Sequence, residues 1–374
     1  MGSAPGPGYP LAMYRLLRPL LFRLDAEDAH GWGVRAARTG QRVPGVMRRL
    51  FPRADPRLAQ TVWGLRFGSP VGLAAGFDKN AELVRFWASL GLGFAEVGSV
   101  SARPSEGNAR PRAFRLPADA ALVNRMGLNN HGAPVVAARL RATLRPPGFV
   151  VGVNVAKTHS PDILGDAGVD DFRQSVRALA PEAGYLALNV SCPNTAEGKT
   201  FEDAEALDAL LTAVTAELGG DRPPLLVKLS PPPATGVDVG AVDELVAICR
   251  AHGVDGLIAS NTASDRDGLA TPRGEIDRVG RGGLSGRPLA VRAESLIRHL
   301  YRTAGGTLPL VGVGGIDSPE AAYARVRAGA SLVQLYTGLV YKGPGLIGRI
   351  HRGLVRLLDR DGLATLADAV GADA

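Results

Sequence analysis

The sequence is poor in cysteine, because its 374 residues include only Cys192 and Cys249. Two cysteines exclude a disulfide framework and are typical of a protein from a reducing compartment. The six histidines are scattered along the chain, and no group of His and Cys has the spacing of zinc ligands. The sequence therefore predicts no metal site.

Long apolar runs and dense basic blocks are missing as well. No apolar run reaches the ~18–20 residues that span a bilayer, and the N-terminal residues do not predict a signal peptide. The net charge of +7 comes from arginines spread over the whole length, without the clustered basic and aromatic residues of nucleic-acid-binding proteins. We therefore expect a cytoplasmic protein, soluble or bound to a membrane surface, that binds no nucleic acid.

The chain nevertheless has 45% hydrophobic residues, enough for a sizeable core. After residue 70, amphipathic helical segments separate most of eight short apolar segments, which are 70–77, 93–101, 149–156, 185–191, 224–230, 256–262, 309–316 and 331–337. Continuous apolar strands separated by helices indicate a parallel sheet covered on both faces. Eight such units predict an α/β fold with a closed (β/α)8 TIM barrel.

The predicted barrel covers residues 51–358, and residues 359–374 form a C-terminal tail. An excursion at 103–147 is too long for an ordinary connection and is expected to return polar groups to the barrel mouth. Residues 1–10 are rich in Gly and Pro and are predicted to be disordered.

Residues 11–50 predict an N-terminal amphipathic helical extension that is basic and broken near Pro19. Its apolar side consists of Leu16, Leu17, Leu20, Leu21 and Leu24. Two interpretations stay open: a helix packed on the barrel, and a hairpin that lies in a membrane interface.

Polar or small residues follow every predicted strand, at the barrel end where active sites are built. A single such residue is commonly a turn former, but recurrence at eight strands predicts a site. The glycines of "GVGGI" and "LYTG" at the last two strands indicate a phosphate site, and "GGLSGRP" (282–288) predicts a loop that lies against a flat ring. Amides, hydroxyls and lysines without paired carboxylates favour binding of a planar heterocycle and hydride transfer to an organic cofactor.

Eight motifs together resemble the dihydroorotate dehydrogenase family, in this order: "PVGLAAGFDKN", "EVGSVSARPSEGNARPRAFRL", "NRMGLNNHG", "LNVSCPNT", "IASNT", "GGLSGRPL", "GVGGIDS" and "GASLVQLYTG". The N-terminal segment resembles the helical extension of the membrane-associated, quinone-dependent class 2 members. The resemblance implies an FMN barrel that oxidises dihydroorotate to orotate in pyrimidine biosynthesis and passes electrons to a quinone. It also implies peripheral association with the cytoplasmic side of the cell membrane.

The same resemblance implies the site residues, position by position. FMN would contact Ala75, Gly76, Phe77, Asp78, Lys79, Ser99, Asn154, Asn189, Lys228, Ser260, Gly286, Gly315, Tyr336 and Thr337. The last three would hold the phosphate, and Lys228 would stabilise negative charge on the reduced ring. Substrate would contact Lys79, Asn124, Arg125, Met126, Gly127, Leu128, Asn189, Asn194, Asn261 and Thr262, with Lys79 opposite the substrate carboxylate.

Cys192 falls at the position of the family's general base, which removes a proton from C5 of dihydroorotate while hydride leaves C6. Class 2 members resemble "NVSSPNT" here and have serine, whereas the cytosolic class 1 members have cysteine. A free thiol has a pKa near ~8.5 and ionises more readily than a serine hydroxyl. We therefore predict that Cys192 is the base and that Cys249, within "ELVAICRAHG", is a buried structural residue.

Other functions stay open at this point. The loop "AEGKTFED" (196–203) replaces the usual "PGLRxLQ", and "VNVAKT" and Leu128 also depart from the class 2 pattern. These departures favour a different cyclic dihydro-substrate, and the cysteine favours fumarate or another acceptor in place of quinone. A barrel aldolase or isomerase would use Lys79 or Lys228 as a Schiff-base nucleophile. A non-catalytic membrane-binding module would not need polar residues at eight strand ends.

Overall fold

The computed structural model describes residues 9–51, 53–191 and 201–374. Its strands are β1 (Gln60–Val62), β2 (Leu65–Phe67), β3 (Val71–Leu73), β4 (Phe94–Val100), β5 (Ala113–Leu116), β6 (Ala121–Asn124), β7 (Val150–Val155), β8 (Tyr185–Asn189), β9 (Leu225–Leu229), β10 (Gly256–Ala259), β11 (Gly283–Gly286), β12 (Leu310–Val313) and β13 (Ala330–Leu335). The strands of the eight apolar segments close into a parallel barrel in the order β10-β12-β13-β3-β4-β7-β8-β9. The predicted (β/α)8 barrel is confirmed.

At least one helix follows each barrel strand before the next barrel strand begins. The helices are α1 (Tyr9–Leu21), α2 (Ala26–Gly40), α3 (Pro44–Leu50), α4 (Val84–Ser89), α5 (Ala133–Arg141), α6 (Gly165–Leu179), α7 (Ala204–Leu218), α8 (Val239–Ala251), α9 (Arg273–Val279), α10 (Ala290–Thr303), α11 (Pro319–Arg327), α12 (Thr337–Lys342) and α13 (Gly345–Asp361). Outward-facing strand residues such as Ala95 and Val97 share one apolar core with the buried faces of these helices.

The alternate residues of each strand point into the barrel interior. The layer farthest from the carboxyl ends is apolar and includes Phe94 and Tyr185. Gly152 must lack a side chain, because a Cβ there would overlap the Tyr185 ring. The β1–β2 hairpin covers this end of the barrel: the Trp63 ring lies 5.7 Å from the Tyr185 ring, and its Nε1 donates to the Asp255 carbonyl at 2.8 Å.

The excursion forms an antiparallel sheet above the barrel with an unexpected third strand. β5 pairs with β6, and β6 pairs with β11, so that Asn124 lies opposite Gly283. Residues 282–288 were predicted to form a loop, and this prediction is wrong for Gly283–Gly286, which are strand β11. The apolar residues Val123 and Leu284 give this sheet a core of its own.

The N-terminal helices dock on the barrel beside this sheet. Helix α1 begins at Tyr9 and continues past Pro19 to Leu21, so the predicted break lies two residues later than expected. Contacts with the barrel hold this turn despite the proline: Tyr14 Oη donates to the Val340 carbonyl, and Arg18 donates to the Tyr341 carbonyl at 3.3 Å.

Among the helices of the described ranges, none combines the length and the apolar character that crossing a bilayer would require. Helix α13 runs to Asp361, past the predicted start of the C-terminal tail, and the segment beyond it returns to the barrel. There Leu366 N donates to the Arg57 carbonyl at 3.0 Å, and Arg327 forms an ion pair with Asp373.

Candidate active site

A cavity opens at the carboxyl ends of the barrel strands and encloses about 1220 Å³, counted out to the solvent at its mouth. Parallel strands bring their carboxyl ends to one rim, so residues far apart in the sequence meet there. The predicted site residues that line it are Ala75, Gly76, Lys79, Ser99, Asn124, Met126, Gly127, Leu128, Asn189, Lys228, Ser260, Asn261, Thr262, Gly286, Gly315, Tyr336 and Thr337.

One side of the cavity is a chain of hydrogen-bonded side chains. Asn261 Nδ2 donates to Asn189 Oδ1 at 2.9 Å, and Asn189 Nδ2 donates to Ser99 Oγ at 3.0 Å. Ser99 Oγ in turn donates to Asn154 Oδ1. The Asn261 amide also donates to Ser191 Oγ at 3.0 Å. These bonds orient the amides of Asn189 and Asn261, which line the cavity and offer donors and acceptors to a flat, amide-rich ligand.

Lys79 is a half-buried cation on the excursion side of the cavity. Burial lowers the pKa of Lys79 to about 8, while Glu27 of helix α2 raises it and Arg112 lowers it. The Glu27 carboxylate pairs with Arg112 at 2.8 Å, and both side chains are nearly buried. A lysine in this setting is charged at neutral pH and favours an anionic ligand group.

Lys228 is the second cation at the cavity, and it lies deeper in the barrel. Its Nζ is 3.3 Å from Oε1 of Glu96, a fully buried carboxylate of strand β4. Asn154 Nδ2 donates to the same oxygen at 2.9 Å. A polar layer therefore separates the cavity from the apolar layer below it.

The opposite end of the cavity is built from small residues and hydroxyls. Gly286 and Gly315 have positive φ angles of 104° and 69°, and a Cβ on either would press on neighbouring backbone. Ser285 Oγ and Thr337 Oγ1 lie 2.9 Å apart. Backbone N–H groups and hydroxyls suit an anionic oxygen ligand such as a phosphate.

Four predicted site residues do not line this cavity. The Asp78 carboxylate accepts hydrogen bonds from Glu82 N (2.8 Å), Leu83 N (2.9 Å) and Trp87 Nε1 (3.2 Å), so it fastens helix α4. Arg125 donates to the Val279 carbonyl at 2.5 Å.

Phe77 faces helix α2, where its ring lies 5.0 Å from the His30 ring. Asn154 lies one layer below the cavity, behind Ser99. The resemblance locates a residue along the chain but not the direction of its side chain, so it placed these four among the expected site residues. Cys192 and Asn194 lie outside the described residues, and their assignments stay predictions.

Several lining residues were not named individually from the sequence. Those within the glycine motifs that predicted a phosphate site and a loop against a flat ring are Ser285, Arg287, Val313, Gly314, Ile316 and Gly338, and those outside these motifs are Ala74, Ala120, Leu289, Asp317, Gln334 and Tyr341. Most belong to strand β11, to one of the last two barrel strands, or to the segments that follow these strands. Glu96 was missed as well, although an acidic residue inside the apolar segment "GFAEVGSV" is a signal that sequence reasoning could have used.

FMN fits the residues that are present. Gln334 lines the cavity, and its buried Oε1 accepts no hydrogen bond from the residues that the structure describes, so a ligand N–H would satisfy it. The oriented asparagines match a ring with amide groups, and the glycine and hydroxyl end matches a phosphate. The Gln334 side of the cavity therefore suits the ring of FMN, and the glycine and hydroxyl end suits its phosphate. No group of three or more His, Cys, Asp or Glu side chains within the described ranges could hold a metal ion.

A second, smaller cavity lies between helix α2 and the excursion sheet. Apolar residues such as Ala26, Phe77 and Leu122 line it, together with His30 and Arg115. It shares five residues with the main cavity, namely Lys79, Asn124, Met126, Ser285 and Tyr336. Burial lowers the pKa of His30 to about 4, so the imidazole is neutral at neutral pH. The second cavity is therefore largely apolar and adjoins the first.

Comparisons with known proteins agree on one family. The family model described as dihydroorotate dehydrogenase matches residues 57–358. A relative from Deinococcus deserti named dihydroorotate dehydrogenase (quinone) is 47% identical over 97% of this chain and 100% of its own length. A relative of the same name from Thermobifida fusca is 47% identical over 96% of each chain. The crystal structure of DHODH in complex with ferulenol from Eimeria tenella has a TM-score of 0.83 and 33% identity, and covers 93% of this chain and 96% of that one.

Proposed function

The chain belongs to the dihydroorotate dehydrogenase family, and we propose that its barrel-mouth cavity oxidises dihydroorotate to orotate with bound FMN and passes the electrons to a quinone. The reaction serves pyrimidine biosynthesis. The observation that carries the proposal is the cavity itself, which combines a buried lysine, oriented asparagines and a phosphate-like end in one space.

Lys79, Asn189 and Asn261 bind the substrate. The Lys79 ammonium is half-buried and lines the cavity, where it pairs with the substrate carboxylate. The Asn189 and Asn261 amides, fixed by their mutual hydrogen bond, bind the ring amides of the substrate. Asn124 and Asn194 complete this side in our proposal.

The residues that would hold FMN are Lys228 and Gln334 at its ring and Gly286, Gly315 and Thr337 at its phosphate. When bound, FMN accepts two electrons from the substrate and later releases them to the quinone. The protein's part is to orient the ring and the substrate, to exclude water and to place the Lys228 charge.

Cys192 is the general base in this proposal, and it takes the proton from C5 of the substrate. The preceding residue supports the assignment: Ser191 Oγ donates to the Lys228 carbonyl at 2.8 Å and accepts from Asn261, which lines the cavity. A general base must first lie within reach of the proton that it removes, and only then does its pKa matter. A thiolate can take the proton without the relay that a serine needs.

The base assignment is tested by anaerobic stopped-flow reduction of the bound flavin with dihydroorotate. Cys192→Ala is expected to slow reduction by ~10²–10⁴-fold, the usual contribution of a general base. Cys249→Ala is the matched control, because Cys249 is buried in helix α8 and burial raises its pKa to about 12. An unchanged rate in Cys192→Ala would show that another group takes the proton.

The quinone enters through the second cavity, and helices α1 and α2 rest on the membrane. Two observations support this part. Leu16 and Leu20 are 79% and 59% exposed on helix α1, beside Arg15 and Arg18, a composition that suits the interface of an anionic membrane. The second cavity adjoins the main one at Tyr336. The Tyr336 ring contacts the ring of Phe77, which faces helix α2.

Steady-state turnover of dihydroorotate with quinone and with fumarate, measured side by side, tests the function as a whole. We expect turnover with quinone and at most a small rate with fumarate. Rapid flavin reduction together with turnover only with fumarate would show that the enzyme uses the electron acceptor of class 1 members. No flavin reduction by dihydroorotate would mean that the substrate is a different compound.

A further inference from the structure

We propose that Glu96 is a positioning residue for the cofactor site, because its carboxylate holds Lys228 and Asn154 beneath the cavity and offsets the charge of Lys228. The proposal rests on the proposed function, since it takes FMN as the ligand of this cavity. Glu96 itself contacts neither FMN nor the substrate. It acts through Lys228, which lines the cavity, and through Asn154, which supports the lining residue Ser99.

Four side chains from four other strands converge on the Glu96 carboxylate. Lys228 Nζ lies 3.3 Å from Oε1, and Asn154 Nδ2 donates to the same oxygen at 2.9 Å. Tyr185 Oη donates to Oε2 at 3.1 Å, and Gln334 Nε2 donates to it at 2.7 Å. With four donors, the carboxylate is fully satisfied in its ionised form.

The position of Glu96 in the barrel explains why these contacts matter. Along strand β4, Phe94 belongs to the apolar layer below, Glu96 comes next on the same face, and Ser99 lines the cavity above. A charge in such a layer is costly unless it is paired, and apolar residues could fill the space. The barrel keeps a buried ion pair in the one layer that borders the cofactor cavity.

Glu96 reaches the cavity by two routes. The first is electrostatic: Lys228 lines the cavity, and Glu96 offsets part of the field that the ammonium exerts there. The second is a hydrogen-bond chain: Glu96 orients Asn154, which accepts from Ser99, which accepts from Asn189. The Glu96 carboxylate therefore influences both the electric field of Lys228 in the cavity and the orientation of the Asn189 amide.

These two routes predict two separate effects of Glu96→Gln. Removing the negative charge leaves Lys228 unbalanced, and a stronger positive field favours the reduced, more negative cofactor. We expect the reduced-to-oxidised equilibrium to shift at least tenfold, which is ~30 mV upward in midpoint potential for a two-electron couple. The Gln amide also turns a donor toward donors, so the apoprotein should bind FMN at least tenfold more weakly.

The experiment measures the midpoint potential of bound FMN by dye equilibration, and the FMN dissociation constant of the apoprotein by fluorescence quenching. Tyr185→Phe is the matched control, because it removes one hydrogen bond to the same carboxylate and keeps the charge. We expect its potential to equal that of the unchanged protein. Lys228→Met, which leaves Glu96 alone, should lower the potential.

Three outcomes would overturn the proposal. One is an unchanged or lower potential in Glu96→Gln, and another is an equal shift in Tyr185→Phe, which would point to packing. If Glu96→Gln does not fold, the double variant Glu96→Gln/Lys228→Met leaves no unpaired buried charge and should have a higher potential than Lys228→Met. The third outcome that would overturn the proposal is an equal midpoint potential in Glu96→Gln/Lys228→Met and in Lys228→Met. If the unchanged apoprotein does not bind FMN, the proposed function fails instead, before any variant is compared.

Discussion

Lys79 shows how one residue at the cavity joins structure to pH dependence. Its pKa is lowered to about 8 by burial, and only the protonated form attracts a carboxylate. The positive charge of Lys79 is therefore present below about pH 8 and is lost as the pH rises through that value. We expect the affinity for orotate to be constant near pH 7 and to fall toward tenfold per pH unit well above pH 8.

Titration of the bound flavin's absorbance with orotate, from pH 6 to pH 9.5, measures this dependence. Lys79→Gln is the control, since a neutral amide should bind orotate weakly and without an inflection near pH 8. If the variant keeps the same inflection, another group causes it.

Asp78 matters at the same scale for stability. Its buried carboxylate accepts from the backbone N–H groups of Glu82 and Leu83, just before helix α4, and from Trp87 within the helix. Asp78→Ala leaves three donors unpaired, and we expect it to lower the free energy of unfolding by about 2–4 kcal/mol. Urea denaturation measures the loss. Asp78→Asn keeps one acceptor oxygen and should lose less, so an equal loss in both variants would show that these hydrogen bonds do not stabilise the fold.

At the scale of elements, the barrel strands could be predicted because each is a continuous apolar segment buried on both faces. Strand β11 could not, because "GGLSGRP" has the composition of a loop. Its strand conformation comes from pairing with β6, about 160 residues earlier in the chain, where Gly283 lies opposite Asn124. The lining residues missed from the sequence have the same cause, since side-chain direction and distant pairing are properties of the folded chain.

Helix α1 has apolar residues that remain exposed, among them Leu16 and Leu20. We expect Leu16→Ser/Leu20→Ser to weaken binding to anionic, quinone-containing vesicles at least tenfold, since each leucine that enters the interface contributes about 1 kcal/mol or more. Vesicle co-sedimentation measures the binding. Val239→Ser/Val291→Ser is the matched control, because these valines are also exposed but lie on helices α8 and α10.

The control variant should bind vesicles like the unchanged protein, and both variants should keep the rate of flavin reduction by dihydroorotate. Equal losses of vesicle binding in the two variants would mean that helix α1 is not the membrane contact. A loss of flavin reduction in the α1 variant would mean that the helix supports the barrel itself.

For the whole molecule, the cavity lies across the seam where the barrel closes. There the last barrel strand, β13, pairs with the first, β3, so that Gln334 lies opposite Gly72. Just above this seam, Tyr336 Oη donates to the Gly76 carbonyl at 3.4 Å, and both residues line the cavity. A ligand held by Gly76 and Tyr336 therefore ties the first and last strands together.

This position predicts that FMN stabilises the entire fold. At a free concentration of 100 times its dissociation constant, FMN adds ~2.7 kcal/mol to the free energy of unfolding, and we expect the apoprotein to melt about 3 °C below the FMN-bound protein. Differential scanning calorimetry at several FMN concentrations measures the shift. Riboflavin, which lacks the phosphate, should raise Tm by less at the same concentration, because it cannot engage Gly286, Gly315 and Thr337. An equal rise with riboflavin would show that this end of the cavity does not hold the phosphate.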